Sequence, residues 1–85
     1  MLDRLDRFLA SRAASRGISR STAESYRRDL KAFAAAMEAQ GIGDPGRVNP
    51  HHIAAYLAGM RSAGKAPASI ARAASSIRAF FRYLA

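Results

Sequence analysis

The sequence predicts an all-α fold, a compact bundle of four helices with short connections. Alanine, the residue with the highest helix propensity, supplies 20 of the 85 residues. No segment alternates apolar and polar side chains as a half-buried strand does. Four segments instead carry apolar residues at helical spacing, and turns rich in glycine and proline separate them. Because the connections are short, neighbouring helices must pack together around a single core.

The first helix is expected over residues 2–16. Its apolar side chains fall on one face, at Leu2, Leu5, Phe8 and Leu9. Gly17 is the expected stop, because glycine adopts the left-handed conformation that ends many helices. Ile18 follows at the position where an apolar side chain often folds back onto the helix.

The second helix is expected to start at residue 20 or 22 and to continue to Gln40. Two starts are open, because Ser21 forms a capping box with Glu24, whereas Ser19, preceded by an apolar residue, is an equally good cap. The buried stripe repeats at helical spacing, at Tyr26, Leu30, Phe33 and Met37. The glycine-rich segment 41–46 then ends the helix.

The third helix has the clearest start, with Asn49 as the cap and Pro50 in the first helical position. Val48 and Ile53 are placed to pack against each other across that start, and Gly64 ends the helix. Its inward side chains are Ile53, Tyr56, Leu57 and Met60.

The fourth helix is expected over residues 67–84, although Ala66, before its first proline, is a poor cap. Its apolar stripe comprises Ile70, Ala73, Ala74, Ile77, Phe80, Phe81 and Leu84. Across the four helices, the aromatic side chains expected to meet in one core are Phe8, Tyr26, Phe33, Tyr56, Phe80 and Phe81.

The residue types present argue against catalysis and metal binding. Cysteine is absent, which excludes a disulfide framework and thiolate zinc sites. His51 and His52 are adjacent, so on a helix they point about 100° apart and do not grip one metal ion; a polar first helical turn is their expected role. The six acids are expected in solvent or near helix ends, and no serine lies in a nucleophile elbow. No cofactor or metal is therefore expected.

A membrane location is not indicated either. No apolar run approaches the roughly 18 residues that span a bilayer. The N-terminal segment is charged and periodic, unlike a signal peptide, so a cytoplasmic location is expected.

The net charge of +8 is distributed unevenly along the chain. All six acids lie within the first 44 residues, together with eight bases, whereas residues 45–85 carry six bases and no acid. Such asymmetry predicts a positive face, which attracts a polyanion through Coulomb steering and counterion release. A solubilising charge with no specific partner is the alternative.

Two helical faces combine arginine with small hydroxyl side chains. Arginine can contact phosphate oxygens, or guanine O6 and N7 through a pair of hydrogen bonds. Serine and threonine let a helix approach the DNA backbone closely and donate to phosphates. The candidate DNA-binding residues are Thr22, Ser25, Arg27, Arg28 and Lys31 on the second helix, and Ser69, Arg72, Ser75, Ser76 and Arg82 on the fourth.

Two segments resemble the start of phage-integrase-family tyrosine recombinases, most closely those of the Xer type. One is Ser-Thr-Ala-Glu-Ser-Tyr-Arg-Arg-Asp-Leu at residues 21–30, and the other ends in Ser-Ile-Arg-Ala-Phe-Phe-Arg-Tyr-Leu at residues 76–84. Residues 5–9, 40–42 and 53–57 also match. The resemblance therefore covers almost the whole chain in order and spacing.

The resemblance implies the N-terminal core-binding domain of such a recombinase, a four-helix SAM-like module spanning residues 1–85. In this family the module lies on one side of duplex DNA, its second and fourth helices cross the major groove, and a separate C-terminal catalytic domain closes the clamp. The family's catalytic residues belong to that domain, so this chain is expected to grip a recombination half-site without catalysis. The implied partners are double-stranded DNA, the protein's own catalytic domain and other recombinase protomers in a synaptic complex, with no membrane.

A second class of function fits the same residues, namely a SAM-like protein–protein interaction domain whose basic face meets an acidic partner. Steep salt dependence of duplex binding would favour DNA. Association with a protein in the absence of DNA, unaffected by Arg72→Ala, would favour the protein partner.

Overall fold

Four α-helices follow one another along the residues that the computed structural model describes, which are 1–14 and 19–85. They are α1 (Leu2–Ala14), α2 (Arg20–Ala39), α3 (Pro50–Ser62) and α4 (Pro67–Leu84), and a 3₁₀ turn at Pro45–Arg47 precedes α3. No strand occurs in these residues. The predicted all-α four-helix fold is confirmed, whereas the expected helix stop at Gly17 and Ile18 lies outside the described residues.

Ser19, rather than Ser21, caps α2. Its hydroxyl accepts a hydrogen bond from the backbone N–H of Thr22 at 3.1 Å, and its backbone is extended, as an N-cap requires. The Ser19 hydroxyl also donates to the Thr22 hydroxyl at 2.8 Å. The side chain of Thr22, a candidate DNA contact, is therefore already engaged in forming this helix end.

Two glycines in the left-handed conformation end α2 and α3, with φ of +78° at Gly41 and +80° at Gly64. After each glycine, the next backbone N–H bonds back to the last helical turn, from Ile42 to Met37 at 3.0 Å and from Lys65 to the carbonyl of Met60 at 3.1 Å. Ile42 is buried, which anchors the first of these turns in the core. The second turn fixes the backbone of Lys65 just before α4.

The start of α3 uses Asn49 as predicted, and His52 completes it in a way that the sequence did not reveal. Asn49 Oδ1 accepts from the backbone N–H groups of His51 and His52 at 2.9 and 3.1 Å. In return, the Nδ1 of His52 accepts from the backbone N–H of Asn49 at 3.0 Å. The two histidines thus form the polar first turn that was expected. The start of α4 has no such support, because Ala66 makes no side-chain cap bond.

The core lies where the apolar faces of α1, α2 and α4 meet. The six aromatic rings predicted to share it form a connected series. Phe8 contacts Tyr26 and Phe80 with centroid distances of 6.5 and 5.7 Å. Phe33 contacts Tyr56 and Phe81 at 5.2 and 6.2 Å, and Phe80 meets Phe81 at 5.3 Å. The predicted aromatic core is therefore confirmed.

Three expectations about burial are wrong. Leu2 is 49% exposed, although it shares a helical face with Leu5, which is buried. Asp29, expected in solvent, is only 8% exposed, and Ser76, expected on the open face of α4, is fully buried. Of the inward side chains predicted for α3, Ile53, Tyr56 and Leu57 pack against the core, but none of them is fully buried.

Candidate nucleic-acid interface

A partly buried polar cluster joins α2 to α4. Arg72 Nε donates to Asp29 Oδ2 at 2.9 Å, and Arg72 Nη2 donates to Asp29 Oδ1 at 3.1 Å. The Ser76 hydroxyl lies 3.3 Å from Asp29 Oδ2 and 3.0 Å from the carbonyl oxygen of Arg72. A hydroxyl has one hydrogen, so the shorter bond to the carbonyl is the main one and the carboxylate receives the weaker share. Asp29 thus has charged and neutral donors in an otherwise apolar interface.

This cluster explains why Ser76 does not belong to the open face. A helical wheel sorts polar residues to the outside, but Ser76 lies next to the α2–α4 contact, where Asp29 and the carbonyl of Arg72 satisfy its hydroxyl. A small polar side chain with such partners can be buried without a large free-energy cost. Ser76 is therefore buried and does not lie on the open face of α4, where the helical wheel placed it.

Arg72 remains available to a ligand although it is paired. Its side chain is 42% exposed, whereas that of Asp29 is 8% exposed. A guanidinium has five N–H donors in a fixed fork, and two of them are used on Asp29, which leaves three. The hydrogen bonds to Asp29, and secondarily its negative charge, raise the pKa of Arg72 above its ordinary value. Arg72 is therefore cationic at every accessible pH.

Beside this pair runs an open groove of about 300 Å³ that three helices build. We call it the basic groove, and its lining comprises Arg28, Asp29, Ala32, Tyr56, Met60, Lys65, Ser69, Arg72 and Ala73. Three cations, from α2, α4 and the α3–α4 connection, therefore line the groove together with one largely covered acid. Of the predicted residues, the structure brings Arg28, Ser69 and Arg72 together here.

Lys65 and Tyr56 line the basic groove but were not predicted as site residues. The sequence could have identified Lys65, because this residue follows Gly64, the glycine that ends α3, and lies just before the helix that holds Ser69 and Arg72. Tyr56 was assigned to the core, and its ring does contact Phe33. Burial, and secondarily the negative charge of Asp29, raises the pKa of the Tyr56 hydroxyl above its ordinary value of 10.0. The side chain of Tyr56 is therefore uncharged at physiological pH and lines the groove without adding to its charge.

The other predicted residues of α2 lie elsewhere. Arg27 faces α1, where its Nη1 lies 3.7 Å from Asp6 Oδ1 with both side chains exposed. Lys31 also lies on the α1 side, in a shallow depression shared with Leu2 and Glu38. Ser25 is half-buried. The α2 face predicted as one DNA surface is therefore divided, and only Arg28 reaches the basic groove.

The remaining α4 residues lie outside the basic groove. Ser75 is exposed on the outer face. Arg82 lines a second depression, near the C-terminal end of α4, together with Arg12 and Tyr83. There the Arg12 guanidinium lies 5.6 Å from the centroid of the Phe8 ring, and the ring of Tyr83 lies 5.4 Å from Phe8. This end of the bundle is basic and aromatic, but it does not adjoin the Asp29–Arg72 pair.

Within the part of the chain that the structure describes, no group of histidines and acids is placed to hold a metal ion. Nor does any helix in these ranges have the length and apolar character needed to cross a membrane.

The chain is similar to known proteins along nearly its whole length. The family model described as phage integrase, N-terminal SAM-like domain, matches residues 5–85. Tyrosine recombinase XerD of Listeria monocytogenes serotype 4b (strain F2365) is 38% identical over 85 aligned positions, and the match covers 99% of this chain and 29% of that protein. XerD of Brucella abortus biovar 1 (strain 9-941) is 41% identical over 80 residues, 94% of this chain and 26% of that protein.

A related enzyme of a second type matches as well. Tyrosine recombinase XerC of Pseudomonas putida (strain KT2440) is 32% identical over 84 residues, 99% of this chain and 28% of that protein. The chain thus spans less than a third of the length of these relatives. No solved structure matches significantly.

Proposed function

This chain belongs to the phage integrase N-terminal SAM-like domain family, and we propose that it grips duplex DNA as the binding module of a site-specific tyrosine recombinase. The observation that carries the proposal is the convergence of Arg28, Lys65 and Arg72 on the basic groove. Three cations drawn from three separate elements form a site that a row of phosphates fits, because each cation neutralises one phosphate and releases its counterion.

The cations of the basic groove have different roles in this proposal. Arg28 and Lys65 are exposed and long, which suits them to phosphate oxygens along one strand. Arg72 presents a rigid guanidinium fork, which suits either a phosphate or the edge of a guanine in the major groove. Ser69, half-buried between them, is short enough to let the DNA backbone come close. Helices α2 and α4 thereby supply the contacts, with Lys65 added from the connection before α4.

Strand exchange is not part of the proposal for this chain. Its relatives are named tyrosine recombinases, and the match covers less than a third of each of them. We place the catalytic chemistry in a C-terminal domain and expect residues 1–85 to act as the core-binding domain beside it. Other recombinase protomers in a synaptic complex and a cytoplasmic location belong to the same proposal.

The tyrosines of this chain have structural surroundings instead of those of a nucleophile. Tyr26 and Tyr83 both contact the ring of Phe8. Tyr56 contacts Phe33, and its raised pKa keeps the hydroxyl protonated. A nucleophilic hydroxyl needs a base or a lowered pKa, and the raised pKa of Tyr56 is the opposite of this. For Tyr26 and Tyr83, the contacts with Phe8 support a packing role.

The test is a titration of the isotopically labelled domain with a short duplex at two salt concentrations, followed by NMR. Salt-sensitive shifts are expected at Arg28, Lys65, Ser69 and Arg72, with affinity in the non-specific range of about 10⁻⁴–10⁻⁶ M. Arg28→Ala and Lys65→Ala should each weaken binding and lower the salt slope by about one.

Arg47→Ala is the matched control, because it removes the same charge from an exposed position outside the basic groove. Equal losses for all three variants would mean that net charge, and no particular surface, attracts DNA. Absence of binding at low salt would defeat the proposal and favour a protein–protein interaction domain whose basic face meets an acidic partner.

A further inference from the structure

Asp29 is an unexpected residue to find beneath a surface that attracts polyanions. Its carboxylate lines the basic groove and is 8% exposed, so its negative charge acts on any phosphate bound there with little screening by water. It also costs free energy to bury. The contacts that offset this cost come chiefly from Arg72, through two charge-assisted hydrogen bonds.

We propose that Asp29 is a positioning residue, which holds the guanidinium of Arg72 in one orientation so that its three unused N–H donors face the DNA. The proposal rests on the DNA-gripping function above and adds a specific role for a buried acid. Arg72 makes the contact with the nucleic acid, and Asp29 sets the orientation in which it does so.

The geometry of the pair supports this role. The carboxylate of Asp29 accepts hydrogen bonds from the Nε–H and one Nη2–H of Arg72, at 2.9 and 3.1 Å. These two donors form one edge of the guanidinium. Two bonds along one edge fix both the direction and the plane of the guanidinium, and they leave its opposite edge free. A long side chain that is already ordered loses less conformational entropy when it binds. The exposed fraction of 42% for Arg72 places that free edge within reach of a ligand.

Ser76 restrains the other partner. Its hydroxyl bonds to the backbone carbonyl of Arg72 at 3.0 Å and lies 3.3 Å from the Oδ2 of Asp29. Because Ser76 is fully buried, it cannot turn away to solvent. Ser76 thus contacts both partners of the pair, the backbone of Arg72 through the shorter bond and the carboxylate of Asp29 through the weaker one.

Two physical accounts of Asp29 predict opposite signs, which makes the proposal testable. If Asp29 acted only through its charge, Asp29→Asn would make the groove more positive and would tighten DNA binding. If it positions Arg72, the same change weakens binding, because the amide NH₂ of asparagine opposes one of the two guanidinium donors. The expected loss is about two- to tenfold in affinity.

The experiment uses the 85-residue chain and a pool of duplexes of random sequence as the probe, at two salt concentrations. Glu24→Gln is the matched control, since it removes one negative charge from an exposed position on the same helix. We expect Glu24→Gln to tighten binding slightly and Asp29→Asn to weaken it. Equal tightening by both variants would overturn the proposal.

A second readout does not depend on DNA. The Arg72 Nε–H should give a slowly exchanging NMR signal in the unmodified chain, and Asp29→Asn should accelerate its exchange. Rapid exchange in the unmodified chain would overturn the proposal even if DNA binds. If the chain bound no DNA but this signal were protected, the proposed function would fail while the orientation of Arg72 stood.

A variant that keeps the charge covers the case in which Asp29→Asn does not fold. Asp29→Glu retains the carboxylate but moves it by one methylene group, so the fork is displaced. Weaker duplex binding is expected, with the charge of the groove unchanged. Binding equal to that of the unmodified chain would show that orientation does not matter and would overturn the proposal.

Discussion

The carboxylate of Asp29 and the guanidinium of Arg72 meet through two parallel hydrogen bonds, of 2.9 and 3.1 Å, across the contact between α2 and α4. Arg72→Ala would leave Asp29 covered by the bundle with only the weaker bond from Ser76. We expect the free energy of unfolding to fall by about 1–3 kcal/mol, the usual cost of an unsatisfied buried acceptor. Urea denaturation measures this.

Arg28→Ala is the control for that stability change. Arg28 is exposed on the same groove, so its loss should change the free energy of unfolding by no more than about 0.5 kcal/mol. Equal stability of the two alanine variants would mean that the Asp29–Arg72 pair does not stabilise the fold. Because Arg72 is also a proposed DNA contact, DNA binding by Arg72→Ala must be measured under conditions where this variant is fully folded.

Phe33→Ala should be the most damaging change in the core. Phe33 is completely buried and makes edge-on contacts with Tyr56 of α3 and Phe81 of α4. The loss of burial and the cavity left behind should cost about 3–5 kcal/mol, a large share of the stability of so small a domain. Thermal unfolding measures it, with the exposed Leu2→Ala as control. Similar melting temperatures for both variants would contradict this description of the core.

The caps of α3 and α4 predict changes of opposite sign. Asn49→Ala removes the acceptor of two backbone N–H groups and should lower the free energy of unfolding by about 1 kcal/mol. Ala66→Ser adds a hydroxyl at a position whose backbone is already extended and should raise it by about 1 kcal/mol. Chemical denaturation measures the free energy of unfolding of both variants. If Ala66→Ser were no more stable than the unmodified chain, the first turn of α4 would not accept a side-chain cap.

Tyr56 predicts a loss of stability at high pH. Burial raises its pKa in the folded state above the ordinary 10.0, so the folded chain holds this proton more tightly than the unfolded chain. The resulting contribution is complete below pH 10 and disappears as the pH rises through the folded pKa. Unfolding measured from pH 9 to 11 should therefore show a steeper decline for the unmodified chain than for Tyr56→Phe. Parallel declines would argue against the shift.

Local signals in the sequence were sufficient for most of the fold. Asn49 and Pro50 mark the start of α3, the stripe from Ile70 to Leu84 marks α4, and both were found where expected. Competing signals of equal strength could not be resolved locally, as with Ser19 and Ser21, because both can cap a helix. Which serine does so depends on where the whole helix packs.

The candidate site was less predictable, because periodicity separates apolar from polar but does not say which polar residues face each other. Arg27 and Arg28 are adjacent in sequence, yet Arg27 pairs with Asp6 of α1 and Arg28 lines the basic groove. Asp29 and Ser76 looked like surface residues because each partner lies more than forty positions away. A buried polar pair of this kind is a tertiary property, and no single helix shows it.

Hydrogen bonds cap both ends of helix α3, yet this helix contributes no fully buried side chain. Its helical form is therefore maintained locally, by Asn49 and His52 at one end and Gly64 at the other, while its attachment to the bundle is comparatively shallow. A helix whose ends are satisfied in this way does not depend on deep burial to remain helical. Since Tyr56 and Met60 of α3 line the basic groove together with Lys65, a tilt of α3 would widen or narrow the groove that we propose to hold DNA, without breaking the bonds that end the helix.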